Sequence, residues 1–86
     1  LGAEDYALVG MGLLAEGMVA EARFGFEESL ERDGDQVDAL AGLIGVLRVS
    51  DERERAEELA RRLSGVAGSE ARGEVLLGLI REELRD

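Results

Sequence analysis

Laid over itself with an offset of 34 positions, the chain repeats its pattern of large and small residues. Tyr6 falls on Leu40, Val9 on Leu43, Leu13 on Leu47 and Ala22 on Ala56. Gly17 falls on Asp51 and Gly34 on Gly68, so the breaks repeat as well. A second step of the same size brings Leu77 under Val9 and Gly78 under Gly10. A period of this length marks a supersecondary unit that cannot bury its apolar face alone and must stack on a neighbour.

Within each period the apolar spacing is helical. Tyr6, Val9, Leu13 and Leu14 share a face in a first segment, which Gly17 can end by taking positive φ. Val19, Ala22, Phe26, Ser29 and Leu30 follow at three- and four-residue steps, with Glu28 paired to Arg32, and "RDGD" closes the segment with Gly34 after the helix. Val37, Leu40, Leu43, Ile44 and Leu47 form a third helix. Asp51 is expected to cap a fourth, with Glu54 completing a capping box. That helix carries Ala56, Leu59, Ala60 and Leu63 on one side, and Glu57–Arg61 and Glu58–Arg62 pairs on the other. Ser69 is expected to cap a fifth, with Val75, Leu76, Leu79, Ile80 and Leu84 on its apolar side. Five helices of about 12–17 residues, joined by loops of about 2–5, give an all-α fold of antiparallel neighbours.

The unit resembles the tetratricopeptide repeat. Residues 3–36 supply that family's pattern in Tyr6, Val9, Gly10, Leu13, Ala22, Phe26, Ser29 and the turn glycine Gly17; Gly34 stands where proline is common. Residues 37–70 match with Leu40, Leu43, Leu47 and Ala56. They depart from it at Ile44, Ala60 and Leu63, where the last two exchange large for small. Residues 71–86 supply one helix, which the resemblance makes a terminal cap with Glu74 and Arg81 on its polar side. The implied architecture is a single domain over residues 1–86, stacked as a short superhelix, an alpha-alpha solenoid. The resemblance also implies that small residues, Gly10 and Ala22, lie where the helices of a hairpin cross.

Composition narrows the chemistry. The chain lacks Cys, His and Pro, and also Lys, Asn and Thr. No imidazole base, amine or thiol nucleophile exists, and we expect neither enzyme activity, cofactor nor metal. A net charge of −10 argues against nucleic acid and anionic membranes as partners. Nine of the acids fall in residues 1–36, against two arginines. No apolar run approaches the roughly 20 residues that span a bilayer, so a soluble, cytoplasmic domain is expected. A sequence starting at Leu1 rather than Met is consistent with a piece of a longer protein.

Two motifs invite sharper readings. Gly10-x-Gly12-x-x-Ala15 approximates a dinucleotide-binding loop, but the helical periodicity runs unbroken from Tyr6 to Leu14 through both glycines. Asp33-Gly34-Asp35 resembles the start of a calcium loop, yet the twelfth position from Asp33 is Ile44. Both are read as structural. Phe24 sits off the repeat's packing positions, to be covered by an amino-terminal neighbour or used as an exposed contact.

In tetratricopeptide domains the first helices of successive units line a concave groove. Carried over by position, that groove holds Glu4, Ala7, Met11, Leu14 and Ala15 from the first unit, Asp38, Ala41, Gly45, Arg48 and Val49 from the second, and Arg72, Val75, Leu79, Glu82 and Glu83 from the cap; Ala7, Met11, Leu14, Arg48, Val49, Val75 and Leu79 are the expected partner contacts. Without Lys or Asn it cannot clamp an acidic tail; its apolar character suits a partner helix, oriented by Arg48. The resemblance therefore implies a non-enzymatic protein-interaction module. The alternative is a small chaperone, of a type III secretion or holdase kind, masking an amphipathic helix of its client. A sixth helix of a longer chain, or a second copy in a homo-oligomer, could also cover the groove.

Overall fold

The computed structural model describes residues 1–85 and folds them into five helices: α1 Ala3–Ala15, α2 Val19–Arg32, α3 Val37–Val49, α4 Arg53–Ser64 and α5 Glu70–Arg85. Asp86, the end of the expected capping helix, lies outside the described residues. Each helix packs on the next, and α1 also touches α3, which brings the first hairpin against the second. The principal extents are 37 × 28 × 18 Å. The shortest is less than two helix diameters, so the core is thin and the outer helices keep exposed sides. None of the described helices is long and apolar enough to cross a membrane.

The core centres on α3, where Ala39, Leu40, Leu43, Ile44, Val46 and Leu47 are all buried. Ile44 fills a position where the repeat pattern expects a small residue, while Ala60 and Leu63 are buried together in α4. Across the hairpin crossings, glycine does the spacing. A Cβ on Gly25 would lie 3.2 Å from the Cα of Gly10, so α1 and α2 approach closely at this pair of glycines, and Ala22 is buried on the same helix. The Phe26 ring then fills the angle between α1, α2 and α3. A Cβ on Gly10 would come within 2.7 Å of it, and one on Gly42 would overlap it from α3. At the other crossing, a Cβ on Gly73 of α5 would meet Ser64 Cα of α4 at 2.5 Å.

The two turns one period apart close identically. At the end of α1, Gly17 takes φ 79° and donates to the Leu14 carbonyl at 3.0 Å, and Met18 donates to Leu13 at 2.9 Å. At the end of α3, Asp51 takes φ 61° and donates to Arg48 at 3.3 Å, and Glu52 donates to Leu47 at 2.8 Å. Asp51 therefore terminates α3 rather than capping α4, whose N-cap is Glu52 without a side-chain cap bond. An L-residue with a Cβ is strained in the left-handed region, whereas glycine is not. Asp51→Gly should therefore stabilise the fold by about 0.5–1 kcal/mol, raising the melting temperature by roughly 4 °C or more in a thermal melt. The Asp51–Arg53 ion pair that it removes is exposed on the aspartate side and offsets little of this.

Other local expectations need correction. Gly34 does not adopt positive φ; Gly68 does, at φ 87°. Gly34 instead lies beneath Arg62, whose Cζ would be 3.0 Å from an added Cβ. Arg62 pairs with Asp35 at 3.2 Å rather than with Glu58, because the longer reach ties α4 to the α2–α3 turn. The α3 N-cap is Gln36, whose Oε1 accepts from the Ala39 amide at 2.7 Å. Arg23 reaches from α2 to Glu52 with bonds of 2.5 and 3.2 Å, and this guanidinium holds the Glu52 carboxyl below the usual carboxylate range.

Candidate functional site

α1 and α3 look alike in sequence and fare differently in space. Residues 6–15 of α1, "YALVGMGLLA", include no charged side chain, as α3 includes few. A helix apolar on all sides is normally enclosed. α3 is enclosed, by α1, α2 and α4. α1 buries only Ala7 and Gly10, with Leu13 and Leu14 half-buried. Leu8 is 56% exposed, Val9 53% and Met11 43%. Exposed apolar side chains thus gather on α1 and again on α5, where Val75, Leu79 and Leu84 are open, and Val9 and Met11 of α1 face two different clefts.

The first cleft runs across α1, α3 and α5. Met11, Leu14 and Ala15 of α1 meet Asp38, Ala41 and Gly42 of α3 around a hollow of about 360 Å³, floored by Phe26. Ala41 and Arg72 belong also to the adjoining hollow of about 410 Å³, where Val75 and Leu76 of α5 form the far wall. The two hollows therefore adjoin, with Ala41 and Arg72 between them. Small residues on α3 make the groove: Ala41 carries only a methyl group and Gly42, which faces the Phe26 ring, has no side chain, so a gap is left between the larger residues of α1 and α5.

The expected groove residues divide accordingly. Met11 and Leu14 are brought together with Ala41, and Val75 extends the same cleft. Val49 and Leu79 are exposed, but line neither hollow. Ala7 is buried beneath α1 and offers a partner nothing, because its position on the helix faces the hairpin interior. Arg48 is not available to orient a partner either. It spans to Glu83 of α5 with bonds of 3.0 and 3.2 Å, so its charge is already matched within the fold. The Arg48 guanidinium, with Arg53 behind it, holds the Glu83 carboxyl below the usual range. The carboxylate of α5 thereby fastens the last helix to α3 and α4.

The second cleft lies on the opposite flank of α1 and was not expected from the repeat. Tyr6, Val9 and Leu13 of α1 face Ala20, Glu21 and Phe24 of α2 across about 390 Å³. The repeat pattern assigns Tyr6, Val9 and Leu13 to packing between units. Here no unit precedes them within the described residues, and Val9 stays exposed. The sequence signal that could have found this surface is the uncharged run of α1, too long to be consumed by one hairpin partner. Phe24, off the packing positions, is 64% exposed on it.

Among the described residues, no group of three or more acidic side chains is placed to hold a metal ion. Comparison of the chain with protein-family models, with curated proteins and with solved structures finds no match.

Proposed function

We propose that this chain is a protein-interaction module, non-enzymatic and of the tetratricopeptide kind, that receives an apolar helix in the cleft between α1, α3 and α5. The observation that carries the reading is the bare α1: ten consecutive uncharged residues on a helix that the fold leaves largely open. Contiguous exposed apolar surface is a feature of protein-interaction sites. The cleft wall is built from adaptable Met11 and branched Leu14 and Val75, with the small residues Ala41 and Gly42 between them. Such a shape suits the ridge of side chains along one face of a helix.

The test follows from exposure. Leu14 is half-buried against the core, so charging it would confound binding with folding. Met11 and Val75 stand on opposite walls and are open, Val75 at 63%. Met11→Asp combined with Val75→Asp should leave the helical circular dichroism unchanged. It should also weaken capture of a helical partner by at least about a hundredfold, the effect of charging two apolar anchors. Capture that is indifferent to both changes would place the docking surface elsewhere.

A further inference from the structure

The second cleft carries its own chemistry. Its walls are apolar, from Tyr6, Val9, Leu13 and Phe24, and the one cation against them, Arg32 over the Tyr6 ring at 4.2 Å, is already paired with Glu28. Glu21 lines the cleft itself. Glu16 continues the Val9–Leu13 line of α1 at helical spacing, and Glu31 continues the Phe24 line of α2. Phe24 also borders a neighbouring hollow walled by Glu27, Glu28 and Glu31 together with Arg55, Leu30 and Leu43. Glu27 and Glu28 are matched by Arg23, Arg55 and Arg32. Glu16, Glu21 and Glu31 make no ion pair among the described residues. The result is an apolar slot framed by uncompensated carboxylates.

We infer that the α1–α2 flank is a second docking surface, and that its occupant is a basic amphipathic helix. The apolar stripe of such a helix would lie over Val9, Leu13 and Phe24, and its Lys or Arg side chains would reach Glu16, Glu21 and Glu31. Charge complementarity selects this occupant over a second copy of the chain. Two-fold pairing through the same flank would set the same three carboxylates against themselves, and like charges across an interface oppose association. The surface is separate from the α1–α3–α5 cleft, since Val9 and Met11 project from different sides of α1, and the inference does not depend on the proposed function.

Two synthetic helices provide the probes. Both carry leucine and alanine on one face; one has lysine and arginine on the other face, and its counterpart has glutamate. In titrations followed by amide resonances, the basic helix should shift Val9, Leu13 and Phe24. Its affinity should fall at least about tenfold when salt is raised from low to several hundred millimolar, as screening demands. Phe24→Glu is the decisive variant, because it makes the flank more acidic while removing the apolar anchor. Docking in the slot weakens about tenfold or more in this variant, whereas unspecific attraction to an acidic chain strengthens. Phe24 is exposed, so the fold survives the change. The inference is overturned if Phe24→Glu binds the basic helix as well or better, or if the acidic helix binds equally. Shifts confined to Met11, Ala41 and Val75, no binding at all, or self-association that Phe24→Glu abolishes would overturn it too. Met11→Asp with Val75→Asp should leave this binding intact, so its outcome is read separately from that of the first cleft.

Discussion

Phe26→Ala is expected to cost about 3–5 kcal/mol, the range for deleting a buried aromatic side chain. A domain of this size has a total stability of roughly 5–10 kcal/mol, so the variant should be close to unfolded at 37 °C. The ring is fully buried and is the largest side chain in the core. It also sits against two glycines, Gly10 on α1 and Gly42 on α3. Neither has a side chain that could relax into the space, so the cavity should stay open and the cost should lie high in the range. The same geometry makes a second effect non-additive. Gly42→Ala in the native chain drives a methyl group into the Phe26 ring and should destabilise by about 1–3 kcal/mol. In the Phe26→Ala background the methyl enters the vacated space, and alanine's better helix propensity, about 1 kcal/mol, is left over. The sign of the Gly42→Ala effect should therefore reverse between the two backgrounds in urea titrations at low temperature. An equal cost in both would mean that the ring does not lie between the hairpins.

Gly73→Ala is expected to be the most damaging glycine substitution, at about 2–3 kcal/mol net of the propensity gain. The new Cβ would meet backbone as well as side chain, at 2.5 Å from Ser64 Cα and 2.8 Å from Ser64 Cβ. Backbone cannot rotate aside, so the first turn of α5 must lift from the last turn of α4. Leu77 and Ile80, buried on the same helix, would be exposed in proportion. Gly12, Gly45 and Gly78 supply the internal comparison. Each is helical and has nothing within 4 Å of an added Cβ. Alanine at each should stabilise by up to about 1 kcal/mol, as expected for an open helix interior. Chemical denaturation of these four variants separates glycines that set helix spacing from those that only loosen a helix. Stabilisation by Gly73→Ala would show that α4 and α5 are further apart than described.

The helices and their order were legible in the sequence because periodicity and breaks agree at every boundary. Gly17 takes the positive φ expected of it, and the Glu28–Arg32 and Glu57–Arg61 pairs form at 3.2 Å each. Both are local features, fixed within one or two turns. Contacts between helices were less legible. Gly25, Gly42 and Gly73 all set helix spacing, yet each looks in the sequence like Gly12 or Gly45, which face open space. The difference lies in the partner helix, which no local pattern encodes. Asp51 misleads for a related reason: aspartate is a favoured N-cap, and only the geometry of the whole turn reveals that it occupies the left-handed position at the end of α3.

The site was partly legible. The Met11–Leu14–Val75 line follows from helical register once α1, α3 and α5 are set side by side. Ala7 was lost to the core by its position on the α1 wheel, and Arg48 was lost to Glu83, a partner 35 residues away. Long arginines choose among all carboxylates within reach, and spacing along the chain does not rank them. The second cleft went unexpected because the repeat pattern describes Tyr6, Val9 and Leu13 as packing residues. That description holds only where another unit stands in front of them.

The account rests on one aromatic ring joining three helices, which stacks the first hairpin on the second and leaves both flanks of α1 open. Proton chemical shifts test this directly, because the chain has only two phenylalanines, one tyrosine and no tryptophan to cause ring-current shifts. The Hα resonances of Gly10 and Gly42 should both be displaced from their ordinary helical positions, and both displacements should vanish in Phe26→Leu. A displaced Gly10 beside an undisplaced Gly42 would contradict the account, since it would mean that the hairpin forms but does not stack.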